Sequence, residues 1–158
     1  MRLIALVFLT LFCQGLLAQN KTTRDYIDKN KEMSLELSKE YLIPVEIILS
    51  IAIIESGSGQ SKIVKNLNNH FGIVGPNKVK YKTRYKQYAS GQDSYKDFCR
   101  LISSKKIYTK LKNSKNSNKW IEGLASIGYS EKPLVWKKLL KKTIKTYKLD
   151  QIDNHKIN

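Results

Sequence analysis

Glu55 is the residue whose surroundings most suggest chemistry. It closes an apolar run, Ile51-Ala-Ile-Ile54, and Ser56-Gly57-Ser58-Gly59 follows it. A carboxylate there meets the negative end of a helix dipole and an apolar surround, and both disfavour its ionisation. A carboxylic acid kept protonated near neutral pH can act as a general acid on a leaving oxygen. The plainer reading is a solvated glutamate at a helix end. Hydrolysis by paired carboxylates would need a second acid, and there is no Asp or Glu between Glu55 and Asp93. Asp93 itself ends Ser90-Gly-Gln-Asp93, a capping-box pattern that accounts for it as a helix N-terminal residue.

Other reactive side chains read more plainly. His70 has only the tail residue His155 for company, and no Ser/His/Asp spacing appears, so it reads as a turn-lining histidine. Cys99 could be a nucleophile, but Phe98-Cys99-Arg100-Leu101-Ile102 is an amphipathic stretch in which a lone cysteine serves as a small core residue. Two cysteines and two histidines are too few for a Cys/His metal cage or a disulfide framework, so no metal and no cofactor are expected.

The elements that must position Glu55 follow from periodicity. From about Asp25 to Tyr41, Ile27, Met33, Leu37 and Tyr41 recur at helical spacing. Pro44 opens a second helix that is apolar on nearly every face, as a central buried helix must be, and the glycines after Glu55 end it. Val79, Tyr81, Thr83 and Tyr85 then alternate with Lys80, Lys82, Arg84 and Lys86, the period of a half-buried strand or hairpin, with Gly75-Pro76-Asn77 as a turn. Helices are expected through Tyr95, Phe98, Leu101 and Ile102, over 120–127, and from Pro133 to Tyr147. The last carries Lys137, Lys138, Lys141, Lys142 and Lys145 as a basic face over Leu139, Leu140 and Ile144. Residues 151–158 form a polar, frayed tail.

The chain of 158 residues suits one domain, and its 41% hydrophobic and 27% charged residues suit a soluble globular protein rather than a disordered or multi-span membrane chain. Residues 1–18 read as a secretory signal: Arg2, a short apolar run to Cys13, and a small residue, Ala18, at the cut. The run is shorter than a spanning helix needs. Lipid attachment at Cys13 is disfavoured by the bulky Leu11-Phe12 before it. A net charge of +16 points to a polyanionic partner. Export argues against nucleic acid and for carboxylate-bearing cell-wall polymer.

Four ordered segments carry a resemblance. Ile51-Ala-Ile-Ile-Glu55-Ser-Gly-Ser-Gly-Gln-Ser61, Asn66-Leu-Asn-Asn-His-Phe-Gly-Ile73, Tyr85-Lys-Gln-Tyr88-Ala-Ser-Gly-Gln-Asp-Ser94 and Gly128-Tyr129-Ser130 resemble the bacterial endo-β-N-acetylglucosaminidases, glycoside hydrolase family 73, of autolysin and flagellar peptidoglycan-hydrolase type. The match spans most of residues 26–149. It implies a mainly α (α+β), lysozyme-like helical domain over 19–150 with a small β-lobe near 73–88. It further implies an exported, monomeric hydrolase that cleaves the β-1,4 bond after N-acetylglucosamine in peptidoglycan glycan strands.

By the same resemblance Glu55 is the catalytic acid and Tyr129 a cleft tyrosine, with a structural corner as its rival. Asn69, Phe71, Gly72 and Tyr88 are substrate-binding. Phe71 reads more readily as core than as a sugar-stacking ring, and Asn69 also reads as a residue satisfying a turn. Several family members take a second carboxylate from the β-lobe, which here holds only cations, Lys78, Lys80, Lys82, Arg84 and Lys86. Either the N-acetyl group of the substrate assists, or a distant carboxylate such as Glu131 approaches. A lytic transglycosylase or muramidase is the rival activity, and a non-catalytic cationic wall-binding protein the rival class.

Overall fold

The computed structural model describes the backbone of residues 2–80 and 82–156 and the side chains of residues 18–80 and 82–152. The side chains of residues 1–17, including Cys13, and the alternating residue Tyr81 lie outside the described residues. Seven α-helices run in order: α1 (Arg2–Tyr41), α2 (Val45–Ser56), α3 (Lys62–Leu67), α4 (Gly91–Ser103), α5 (Tyr108–Leu111), α6 (Ser117–Ser126) and α7 (Pro133–Tyr147). A 3-10 helix, Leu149–Lys156, closes the chain.

The core is built around α2. Ten of its twelve residues are buried, because α1, α6, α7 and the 3-10 helix surround it. A helix so apolar must be enclosed on every side, since a single exposed face would leave isoleucines in water. It stops where Gly57 turns left-handed at φ 57° and its N–H bonds the Ile53 and Ile54 carbonyls. α4 starts from the expected capping box: Ser90 Oγ accepts the Asp93 N–H, and Asp93 Oδ2 accepts the Ser90 N–H at 3.0 Å. Asp93 is thereby committed to the cap. Cys99, on the buried face of α4, is wholly enclosed, and burial pushes its thiol up to about 12, so it serves the core.

Three expectations change. The alternating segment over 79–85 does not become a strand; a lone antiparallel bridge, Val74 to Tyr85, takes its place. Backbone bonds still cross the lobe, from the Gly75 N–H to the Arg84 carbonyl at 3.0 Å, the Lys86 N–H to the Ile73 carbonyl at 2.8 Å and the Gln87 N–H to the Pro76 carbonyl at 3.0 Å, and side chains add to them. Asn77 Nδ2 donates to the Thr83 and Tyr85 carbonyls at 3.1 and 2.9 Å, and the Lys78 N–H donates to Gln87 Oε1 at 3.0 Å. Alternation thus marks a folded-over lobe without regular pairing.

The tail is not left frayed at 151, since the 3-10 helix carries on from a fully buried Leu149 and packs Ile152 on the core. Leu139 is 43% exposed instead of covered; Trp136, Leu140 and Ile144 form the buried stripe of α7. Among the described residues no helix is long and apolar enough to cross a membrane.

Candidate active site

A cleft of about 690 Å³ opens between the lobe, the end of α4 and the segment leading into α7. Glu55 lines it together with Phe71, Gly72, Tyr85, Gly128, Tyr129 and Glu131. The end of α2 thus delivers its carboxylate into the cleft, as expected of a general acid. The loop behind Glu55 is held from below. Ser56 is buried and its Oγ accepts the Gly59 N–H at 2.8 Å, while Thr23 Oγ1 of α1 lies 2.8 Å from Ser58 Oγ. Gly59 has φ 78°, and a Cβ there would come within 2.9 Å of the Tyr26 ring, so only glycine fits.

Although Glu55 reaches solvent, burial raises its carboxyl above the ordinary value; the Trp136 indole N–H, which donates to Oε1 at 3.1 Å, pulls it partly back. A protonated carboxyl in this position can give its proton to a bound oxygen. Trp136 was not foreseen as a site residue. Its contact with Glu55 bridges 81 residues of chain, and the sequence signal was limited to a tryptophan in the first turn of a helix begun by Pro133.

Tyr129 is the second expected catalytic residue, and it sits in the same cleft. Its ring leans on Trp136 with centroids 5.2 Å apart and meets Phe98 edge-on at 6.2 Å. Burial, with the charge of Glu55 adding to it, holds the phenol well above its usual range, so the hydroxyl stays protonated. Phe71 is both core and wall: it is 4% exposed and stacks on Phe98 at 4.1 Å, yet it lines the cleft beside Gly72.

Two expected substrate-binding residues do not reach the cleft. Tyr88 is buried, and its hydroxyl donates to Asp97 Oδ2 at 2.7 Å, the atom that Lys86 also engages at 2.7 Å. Burial works against ionisation of Asp97, but these two bonds outweigh it and hold the carboxyl below its ordinary value. Tyr88 therefore fastens the lobe to α4.

Asn69 is 1% exposed, and both ends of its amide are spent. Nδ2 donates to the Ile73 and Lys86 carbonyls, both at 2.8 Å, and Oδ1 accepts the Phe71 and Ile73 N–H groups at 3.3 and 3.1 Å. It pins the two sides of the lobe together behind the cleft wall. An aromatic in an alternating run and an asparagine in a turn carry no sequence mark that separates such anchors from ligand contacts.

His70 is also structural. Its Nδ1 lies 2.7 Å from the Tyr26 hydroxyl, which lies 2.8 Å from that of Tyr95, and its N–H donates to Ser94 Oγ. Burial, with nearby Lys29, lowers its pKa to about 4, so the ring is neutral. Glu131, by contrast, brings a carboxylate into the cleft that its position in sequence did not guarantee. Among the described residues no cluster of His, Cys, Asp and Glu could hold a metal ion.

A family model described as mannosyl-glycoprotein endo-beta-N-acetylglucosaminidase matches residues 31–149. No curated protein matches the chain. The fold resembles that of the catalytic domain of the autolysin Auto from Listeria monocytogenes, with TM-score 0.69 and 22% identity over 83% of this chain and 87% of that one. A peptidoglycan hydrolase from Sphingomonas sp. A1 aligns with TM-score 0.66 and 19% identity over 83% and 93%. An N-acetylmuramoyl-L-alanine amidase from Staphylococcus aureus aligns with TM-score 0.74 and 26% identity, but over 84% of this chain and only 43% of the other.

Proposed function

Because the chain belongs to the glucosaminidase family of glycoside hydrolases, we propose that it hydrolyses the β-1,4 bond following N-acetylglucosamine in peptidoglycan strands, with Glu55 as general acid. The observation that carries this reading is the Glu55 carboxyl, raised by burial at the end of α2 and open to a cleft of about 690 Å³. Peptidoglycan as the polymer is supported by the autolysin and peptidoglycan hydrolase that share the fold, and by the net charge of +16. Export follows from the same substrate and from the leader over residues 1–18, with cleavage near Ala18. α1 is continuous across that position, so cleavage would leave its later turns, from Gln19 onward, to cover α2.

In the proposed reaction Glu55 protonates the glycosidic oxygen as the bond to the anomeric carbon breaks, and water completes the hydrolysis. Tyr129, protonated and beside Glu55, is placed to hydrogen-bond the reacting sugar. The developing oxocarbenium needs a negative partner; Glu131 in the cleft and the substrate's own acetamido oxygen are the two groups that can supply it. Digestion of purified peptidoglycan, borohydride reduction and mass spectrometry of the new ends tests the bond. Reduced N-acetylglucosamine is expected. Reduced muramic acid would make the enzyme a muramidase, and anhydromuramic acid a lytic transglycosylase.

A further inference from the structure

The cleft holds more positive charge than a neutral sugar chain requires. Three cations line it, each brought by a different segment: Arg84 by the lobe, Lys105 by the residues after α4, and Lys132 by the residues before α7. All three are exposed, and none forms an ion pair among the described residues. The Arg84 guanidinium lies 5.7 Å above the Tyr85 ring, which steadies it without neutralising it. Against them the cleft sets two carboxylates, Glu55 and Glu131. With Glu55 protonated, as an acid must be before it acts, three positive charges share the space with one negative charge. Val74 and Ile127, 60% and 41% exposed, add aliphatic surface to the same lining.

Resting on the hydrolase reading above, we infer that this cleft carries a second recognition site, for the free carboxylates of short acidic peptides attached to the glycan strand beside the bond that is cut. A cleft that bound sugar alone would rely on hydroxyl and amide partners and ring faces. Unpaired cations drawn from three separate segments fit several negative charges spaced along a flexible branch. The aliphatic side chains give the branch's methylene and methyl groups a surface to cover. The anion is a carboxylate of the substrate itself, because the site flanks Glu55, where the strand must lie, and not a remote surface.

The test compares three substrates freed of phosphodiester polymers: intact peptidoglycan with free peptide carboxylates, the same material with those carboxylates amidated, and glycan stripped of its peptides. Release of reducing ends gives kcat/KM for each. The native enzyme should prefer the first by about 5- to 10-fold, in keeping with a few solvent-exposed charge pairs. The triple variant R84Q/K105Q/K132Q should lose that preference, chiefly through a higher KM, and treat the free-carboxylate and amidated substrates alike.

A control that removes the same charge at Lys39, Lys112 and Lys115, which line a separate cavity, should keep the preference. Equal rates of the native enzyme on all three substrates would overturn the inference, as would a preference that survives in R84Q/K105Q/K132Q or vanishes in the control. No reducing ends from any substrate would instead overturn the hydrolase reading, and the inference with it.

Discussion

At the residue scale the proposed chemistry turns on one pair, Glu55 and Trp136. Burial favours the neutral acid, and the indole N–H at 3.1 Å favours the ionised one. The two effects oppose each other, so Trp136 sets how far the acid's pKa stands above an ordinary carboxylate. Glu55→Gln keeps the shape and removes the proton, and turnover should fall by about 10²–10⁴-fold with the circular-dichroism spectrum unchanged.

Trp136→Phe acts on the other term. Without the N–H the ionised form loses a partner, the pKa rises further, and the alkaline limb of the kcat profile should move to higher pH. The midpoint of that limb, not the maximal rate, is the measurement, since Trp136 is also a core residue of α7 and its loss weakens packing. A limb whose midpoint did not move would show that Trp136 does not tune the acid.

At the scale of elements, the lobe is the part whose construction the sequence conceals. α2 was legible because an apolar run with no polar face can only be enclosed, and α4 and α7 because Ser90, Asp93 and Pro133 are strong start signals. The resulting mainly α, lysozyme-like fold was therefore readable, and so was the delivery of Glu55 to a cleft. α3 and α5, at six and four residues, are shorter than two turns and leave no periodic trace.

Over 73–88 the alternation of aromatics and lysines imitates a strand, while the fastening combines a few backbone bonds with the side chains of Asn69, Asn77 and Asp97. Asn69→Ala tests this. It removes four hydrogen bonds to backbone groups, of which the Ile73 carbonyl alone keeps a second partner among the described residues, the Lys86 N–H, and should destabilise the fold by about 1–3 kcal/mol. In urea titration the midpoint should drop, and amide exchange should quicken first at Phe71 and Ile73, whose N–H groups lose their acceptor. Uniform quickening across α2 would mean instead that Asn69 supports the whole core.

At the scale of the whole molecule, the helices enclose one core and leave the excess charge outside it. The lobe presents Lys78, Lys80, Lys82 and Arg84, and α7 presents Lys138, Lys142 and Lys145, while the exposed acid Glu122 is shared by Lys137 and Lys141. A surface of this kind holds a polyanion by many weak, screened contacts.

Binding to purified wall should therefore weaken as ionic strength rises past about 0.15 M, where the screening length is about 8 Å, and be largely lost near 1 M, where it is about 3 Å. Sedimentation of the Glu55→Gln protein with wall fragments separates this from turnover, because the wall is not consumed during the measurement. Binding that stayed flat from low salt to about 1 M would mean that sugar contacts in the cleft, and not the charge of the molecule, bring the enzyme to its polymer.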